Sequence, residues 1–306
     1  MRPTAPGGGA TAVVGPVRPQ FPGHGVAPDG YGGAMSKTWF ITGASRGFGR
    51  EFTRAALSRG DRVAATARDT SSLDDLAAEH GDALLPLELD VTDREADREA
   101  VARAARELGR LDVVVNNAGY GHFGAVEELS EADLRDQLEA NLFGAVWVTQ
   151  AALPVMRAQG SGHVVQVTSV GGIAAFPGIG AYHASKWALE GLTESLAQEV
   201  AGQGIKVTLV EPGGFSTDWA GASAHHSEEM PEYQPVRDAT RERYATATPG
   251  DPAAAAQALL RVVDAEEPPL RVLFGSGPTT AVPQLYARRL ATWKRWEDVS
   301  HQAQGG

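Results

Sequence analysis

Between Thr38 and Arg50 the chain reads TWFITGASRGFGR, an apolar run that breaks at Gly43, Gly47 and Gly49 and resumes as the helix-favouring stretch REFTRAALSRG. That pattern predicts a strand, a tight loop and the first turn of a helix. Glycines at those points let the backbone take left-handed angles and approach a ligand closely. The free amides and positive dipole end of the following helix favour an anion. A pyrophosphate is the natural guest. A plain surface turn between two packing elements is the alternative, because the chain holds 36 glycines.

From Lys37 onward, short Val/Ile/Leu-rich runs alternate with amphipathic stretches, which is the pattern of βαβ units and a parallel sheet. The runs are WFIT, RVAAT, ALLPLEL, LDVVVNN, GHVVQVTS, IKVTLVEP and LRVLFG. Helices are expected near 47–59, 71–79, 93–108, 131–158, 180–202, 251–264 and 280–298. The expected fold is therefore α/β, a doubly wound parallel seven-stranded sheet of Rossmann type in a single domain spanning 35–306. Ligands on such sheets bind beyond the carboxyl ends of the strands.

At 306 residues and 42% hydrophobic, the chain can bury a full core. A net charge of -11 with no basic stripe argues against nucleic-acid binding. The absence of cysteine excludes disulfides, thiolate catalysis and Cys-based metal sites, and it suits a cytoplasmic location. No apolar run approaches the roughly 20 residues that cross a bilayer, so no membrane partner is expected. Residues 1–34 are rich in Gly, Pro and Ala and lack apolar periodicity, so disorder is expected there. A natural start at Met35 is the other reading of that segment.

The T-G-x-x-x-G-x-G spacing of the first loop resembles the cofactor loop of the short-chain dehydrogenase/reductase family, and later motifs extend the resemblance to about residue 218. Candidate cofactor contacts in the loop are Gly43, Ser45, Arg46, Gly47, Phe48 and Gly49. At the end of the second strand, Ala67 stands where the family's NAD-selecting acid would sit, and Arg68 follows. Planar guanidinium groups suit a 2'-phosphate, so Arg68 and Arg46 point to NADP, the alternative being two solvated arginines. The resemblance implies that Asp90 accepts from an adenine amino group with Val91 packed on the ring; Asp90 also precedes a helix cap at Thr92 or Asp93. Asn116-Asn117-Ala118-Gly119 looks like the family's N-N-A-G, with Asn117, Ala118 and Gly119 against the cofactor ribose.

Tyr182 and Lys186 lie four apart and so share one helix face. A free phenol titrates near 10, and an adjacent ammonium together with an oxidised nicotinamide is expected to lower it into the useful range. Tyr182 then acts as general acid in reduction and general base in oxidation. Ser169 positions the substrate oxygen. The resemblance gives Asn141 a water relay to the lysine, the other reading being a satisfied core amide. It gives His183 no role, which leaves that residue on the helix surface. Pro212, Gly213 and Thr217 match a P-G-x-x-x-T stretch, with Thr217 on the nicotinamide carboxamide.

Residues 218–249 mix Trp219, His225, His226, Met230, Pro231 and Tyr233 without a clear period and are read as a mobile substrate lid. The paired histidines lack a third ligand at metal spacing, so no metal is expected. Phe123, Ile173, Phe176 and Trp219 are expected to shape an apolar pocket for a carbonyl or alcohol. Trp147 and Trp187 look exposed, which suggests a homodimer or homotetramer. The expected activity is NADP(H)-dependent hydride transfer. A non-catalytic sensor of cofactor redox state and a sugar-nucleotide epimerase or dehydratase are the rivals.

Overall fold

The computed structural model describes residues 36–221 and 223–305, without the side chains of residues 243 and 244. The expectations for residues 1–34 and for Met35 lie outside the described residues. The first half runs β1 (Thr38–Ile41), α1 (Gly47–Ser58), β2 (Arg62–Ala67), α2 (Asp74–His80), β3 (Leu84–Glu88), α3 (Arg94–Leu108) and β4 (Val113–Asn116). Then come β5 (His122–Phe123), α4 (Glu131–Leu138), α5 (Gly144–Gln159), β6 (Gly162–Val167), α6 (Gly180–Val200) and β7 (Ile205–Pro212). The chain continues through β8 (His225–His226), α7 (Gln234–Tyr244), α8 (Pro252–Asp264), β9 (Arg271–Phe274), α9 (Ser276–Arg295) and α10 (Glu297–Ala303).

Each expected apolar run forms a strand of one 7-stranded sheet, in the order β3-β2-β1-β4-β6-β7-β9. All its pairings are parallel; Trp39, for example, pairs with Val63 on one side and with Val113 on the other. Residues Ser36 onward form one compact unit. Alternation along the strands divides the core between the two faces of the sheet. Trp39, Ile41, Val113 and Val115 pack with Phe52 of α1, Leu76 of α2 and Leu259 of α8. Phe40, Val114 and Val164 pack with Val101 of α3, Met156 of α5 and Leu196 of α6. Each large side chain so covered stabilises the fold by about 1.5–3 kcal/mol, and both faces carry such chains. The strand order reverses between β1 and β4, and the crevice where ligands bind such a sheet opens there.

The single helix expected over 131–158 is interrupted. α4 starts at a reciprocal cap between Ser130 and Asp133, passes into a wide π-type turn at Glu139–Phe143, and continues as α5. The expected lid is largely structured: it contains β8 and α7, and the latter was hidden by a sequence in which polar residues dominate. Trp147 is half-buried rather than exposed, covered by the Arg94 guanidinium 4.5 Å from its ring and stacked on Phe143 at 5.9 Å. Trp187 is exposed as expected, at 41%. Among the described residues no helix is long and apolar enough to cross a membrane.

Candidate active site

The loops after β1 and β4 are bonded into one floor. Thr42 Oγ1 accepts from the amides of Asn117 and Ala118, each at 3.0 Å, and Asn117 Nδ2 donates to the carbonyls of Thr42 (3.0 Å) and Gly43 (3.1 Å). Gly43 has φ +66°, and a Cβ there would lie 2.8 Å from Ala118 Cα. A Cβ at Gly49 would stand 2.3 Å from the Gly43 carbonyl oxygen. Glycine is thus required at both points for the first turn of α1 to close on the loop. That helix begins without a side-chain cap and without an acid in its first turn, which leaves its amides to a ligand anion. The residues present fit a dinucleotide pyrophosphate.

A cleft of about 2190 Å³ runs over this floor. It is lined by Ala67, Arg68, Asp90 and Val91, by Ser45, Arg46, Gly47, Phe48, Asn117, Ala118 and Gly119, and by Ser169, Tyr182 and Lys186 with Pro212, Gly213 and Thr217. Arg68 is exposed. Asp90 Oδ1 accepts from Thr92 N (3.0 Å) and Oγ1 (2.8 Å), just ahead of the cap. The helix cap is Asp93, bonded to the amides of Glu95 and Ala96. Arg46 Nη1 reaches Asp218 Oδ2 at 3.1 Å, which ties the first loop to the segment after β7.

Tyr182 and Lys186 are both buried and share one face of α6, with the ammonium 5.9 Å from the phenol ring centre. Lys186 Nζ donates to the Val167 carbonyl at 2.9 Å. Burial pushes the ammonium down to about 8, against the pull of the Glu190 carboxylate. Burial pushes the Tyr182 phenol up to about 12, and its hydrogen bond with Ser169 offsets only part of that. The lowering expected from the ammonium and an oxidised nicotinamide has to act against this burial, and the ammonium itself is turned to a backbone carbonyl. Ser169 Oγ also accepts from Gly171 N at 2.9 Å.

Asn141 sits in the π-type turn, 1% exposed. Its amide donates to the Tyr120 carbonyl (2.9 Å) and Ser185 Oγ (3.2 Å), and its Oδ1 accepts from Tyr120 N (3.0 Å). Both amide hydrogens are spent, so the side chain braces the N-N-A-G exit against α6 as a satisfied core amide. Neither Asn141 nor Gly49 lines the cleft. His183 is a second correction: it is buried between Gly171 and Phe176 and does not lie on the helix surface.

The surroundings of Tyr182 are aromatic. Trp219 stands edge-on to Tyr182 at 4.9 Å and packs on Phe123 at 5.3 Å, and Phe123 stacks on His226 at 5.1 Å. Trp219 fits because position 121 is glycine; a Cβ there would come within 2.5 Å of the indole. Phe176 lines the cleft as expected, whereas Ile173 is buried behind it. The sequence reading did not single out Tyr120, Ser227, Glu128 or Arg237. β5 and β8 pair in parallel, His122 with His225 and Phe123 with His226, and His122 Nε2 lies 2.8 Å from Ser227 Oγ. Glu128 accepts from the amides of Ala125 and Met230 and from Arg237, which holds its carboxyl down at about 2 and fastens the start of α7 to the rim. A two-residue strand has no period to read, and the Glu128–Arg237 pair is 109 residues apart in sequence. Among the described residues, no three His, Asp or Glu side chains are grouped to hold a metal ion.

The model of the family described as short chain dehydrogenase matches residues 37–228. The chain is 42% identical over 270 residues to "Oxidoreductase BOA17" of Botryotinia fuckeliana (strain B05.10), covering 87% of this chain and 98% of that protein. The crystal structure of a short-chain dehydrogenase from Streptomyces avermitilis superposes with a TM-score of 0.83 at 44% identity, over 88% of this chain and 98% of that one. An alcohol dehydrogenase from the archaeon Thermococcus sibiricus, complexed with 5-hydroxy-NADP, superposes with a TM-score of 0.65 at 28% identity, over 78% and 96% of the two chains.

Proposed function

Since the chain belongs to the short-chain dehydrogenase/reductase family and is an oxidoreductase, we propose that it reduces an apolar ketone or aldehyde with NADPH, or runs the reverse. The observation that carries this is the meeting of Ser169, Tyr182 and Lys186 in the cleft that begins at the glycine loop. When bound, the nicotinamide supplies or accepts the hydride and, in its oxidised form, brings a positive charge. Ser169 holds the carbonyl oxygen beside the phenol. A Tyr182 phenol at about 12 is fully protonated at neutral pH, so it stands ready to give its proton to the forming alkoxide. Lys186, at about 8, is mostly an ammonium at pH 7 and attracts the phenolate left behind. Oxidation, which needs the phenol to give up its proton first, should therefore rise with pH.

The preference for NADP rests on Ala67 at the strand end and on the guanidinium groups of Arg68 and Arg46, which line the same cleft. The aromatic wall of Phe123, Phe176 and Trp219 supports an apolar substrate. The reading places the enzyme in the cytoplasm as a homodimer or homotetramer. A carbonyl panel followed by nicotinamide absorbance tests it. Tyr182→Phe should lower turnover by about 10²–10⁴-fold with NADPH binding kept. Arg68→Ala should weaken NADPH far more than NADH; equal loss of both would overturn the NADP assignment.

A further inference from the structure

Ser169 and Phe176 both line the cleft, and the turn that joins them is clipped to α6 by one side chain. His183 Nδ1 lies 2.8 Å from the Gly171 carbonyl oxygen, and His183 Nε2 accepts the Phe176 amide at 2.8 Å. A carbonyl only accepts and a backbone amide only donates, so the two partners fix the neutral Nδ1–H tautomer. The ring is 6% exposed. A Cβ at Gly171 would come within 3.0 Å of Nδ1, so ring and peptide are in close contact. The same Gly171 residue donates its own amide to Ser169 Oγ at 2.9 Å. On the other side, the Phe176 ring packs 5.5 Å from the imidazole.

We infer that His183 is a positioning residue for the carbonyl substrate: its Nδ1–H tautomer holds the Gly171 peptide, and through it the Ser169 hydroxyl, in register with the Phe176 wall of the cleft. The inference rests on Ser169 and Tyr182 being the reacting pair. His183 takes no proton from the substrate. A proton added at Nε2 would set a donor against the Phe176 amide and open the clip.

Among the described residues, the groups facing the ring are few. From α6 there is Tyr182, its ring centre 6.1 Å away, and from the turn the uncharged Gly171 and Phe176. Glu190 lies behind Gly172. No charge contributes to the basicity of the imidazole, which burial lowers while the two backbone bonds oppose. The clip is thus closed at neutral pH and opens as pH falls through that lowered value.

The test uses the full chain with NADPH and a turned-over ketone, from pH 5 to 9. His183→Phe keeps a ring against Phe176 and removes both hydrogen bonds. At the usual net value of such bonds, kcat/KM for the ketone should fall about 10–30-fold. NADPH affinity should change less than about twofold, because the clip lies outside the glycine loop. The wild type should show an acidic limb of kcat/KM that vanishes in His183→Phe, and His183→Gln, which carries both a donor and an acceptor, should recover activity to within about threefold. Nitrogen-15 spectra of labelled histidine at pH 7 should show an Nδ1–H ring that Gly171→Ala perturbs. A silent His183→Phe, an acidic limb kept in that variant, or an Nε2–H ring would each overturn the inference. A Tyr182→Phe enzyme as active as the wild type would defeat the parent reading and the positioning role with it, a result distinct from silence at His183 alone.

Discussion

Asp97 lies in the first turns of α3, four residues past its Asp93 cap, with a side chain 0% exposed and, among the described residues, no hydrogen-bond partner for either carboxylate oxygen. Burial, with the Asp93 and Asp90 carboxylates adding to it, pushes this carboxyl from an ordinary 3.8 up to about 8. At pH 7 the native protein therefore holds a proton that the unfolded chain has released. The penalty is absent below pH 3.8, grows by about 1.4 kcal/mol for each pH unit above it, and is constant above about 8. At pH 7 that amounts to an upper bound of about 4 kcal/mol. Asp97→Asn keeps the shape of the protonated acid and cannot ionise. We expect the variant to exceed the wild type in stability by roughly 2–4 kcal/mol at pH 7 and to match it near pH 4. Urea unfolding at pH 4.5, 6, 7.5 and 9 measures the difference, with the slope of each transition checked for a common denatured state. A gain that does not change with pH, or a wild type more stable than the variant at pH 7.5, would refute the reasoning.

Gly49→Ala places a methyl 2.3 Å from the Gly43 carbonyl oxygen and 2.5 Å from Asn117 Nδ2, so loop and helix must part. We expect a loss of about 1–3 kcal/mol and at least tenfold weaker NADPH binding, by calorimetry and fluorescence titration; unchanged affinity would show that α1 can shift without harm. Trp219→Ala removes the ring 4.9 Å from Tyr182 and should raise the kcat/KM of bulky ketones relative to small ones. An unaltered substrate profile would show that the indole is not the wall of the pocket.

The sheet was legible because its strands are buried on both faces and read as unbroken apolar runs, and Trp39-Phe40-Ile41 carries that signal most clearly. Gly43, Gly49 and Asn117 could be placed because loop spacing and small residues leave a trace in the chain. What the sequence did not show depends on what stands across from a residue. His183 looked like surface because nothing in the sequence places Gly171 and Phe176 on its two nitrogens. The bonds of Asn141 were hidden because the π-type turn that aims it at Tyr120 has no composition of its own. The burial of the phenol was hidden because spacing four apart sets a shared face and says nothing about lost solvation. α7 was missed because polar residues dominate it and its Arg237 is held by Glu128, far upstream.

The cleft draws on residues from Gly43 to Ala281, on both sides of the reversal between β1 and β4. A cut between β3 and β4 would leave part of its lining on each fragment. A nucleotide lying across that seam therefore holds the halves together, and its affinity appears as resistance to heat. A melting curve with each candidate nucleotide ranks them before any substrate is known.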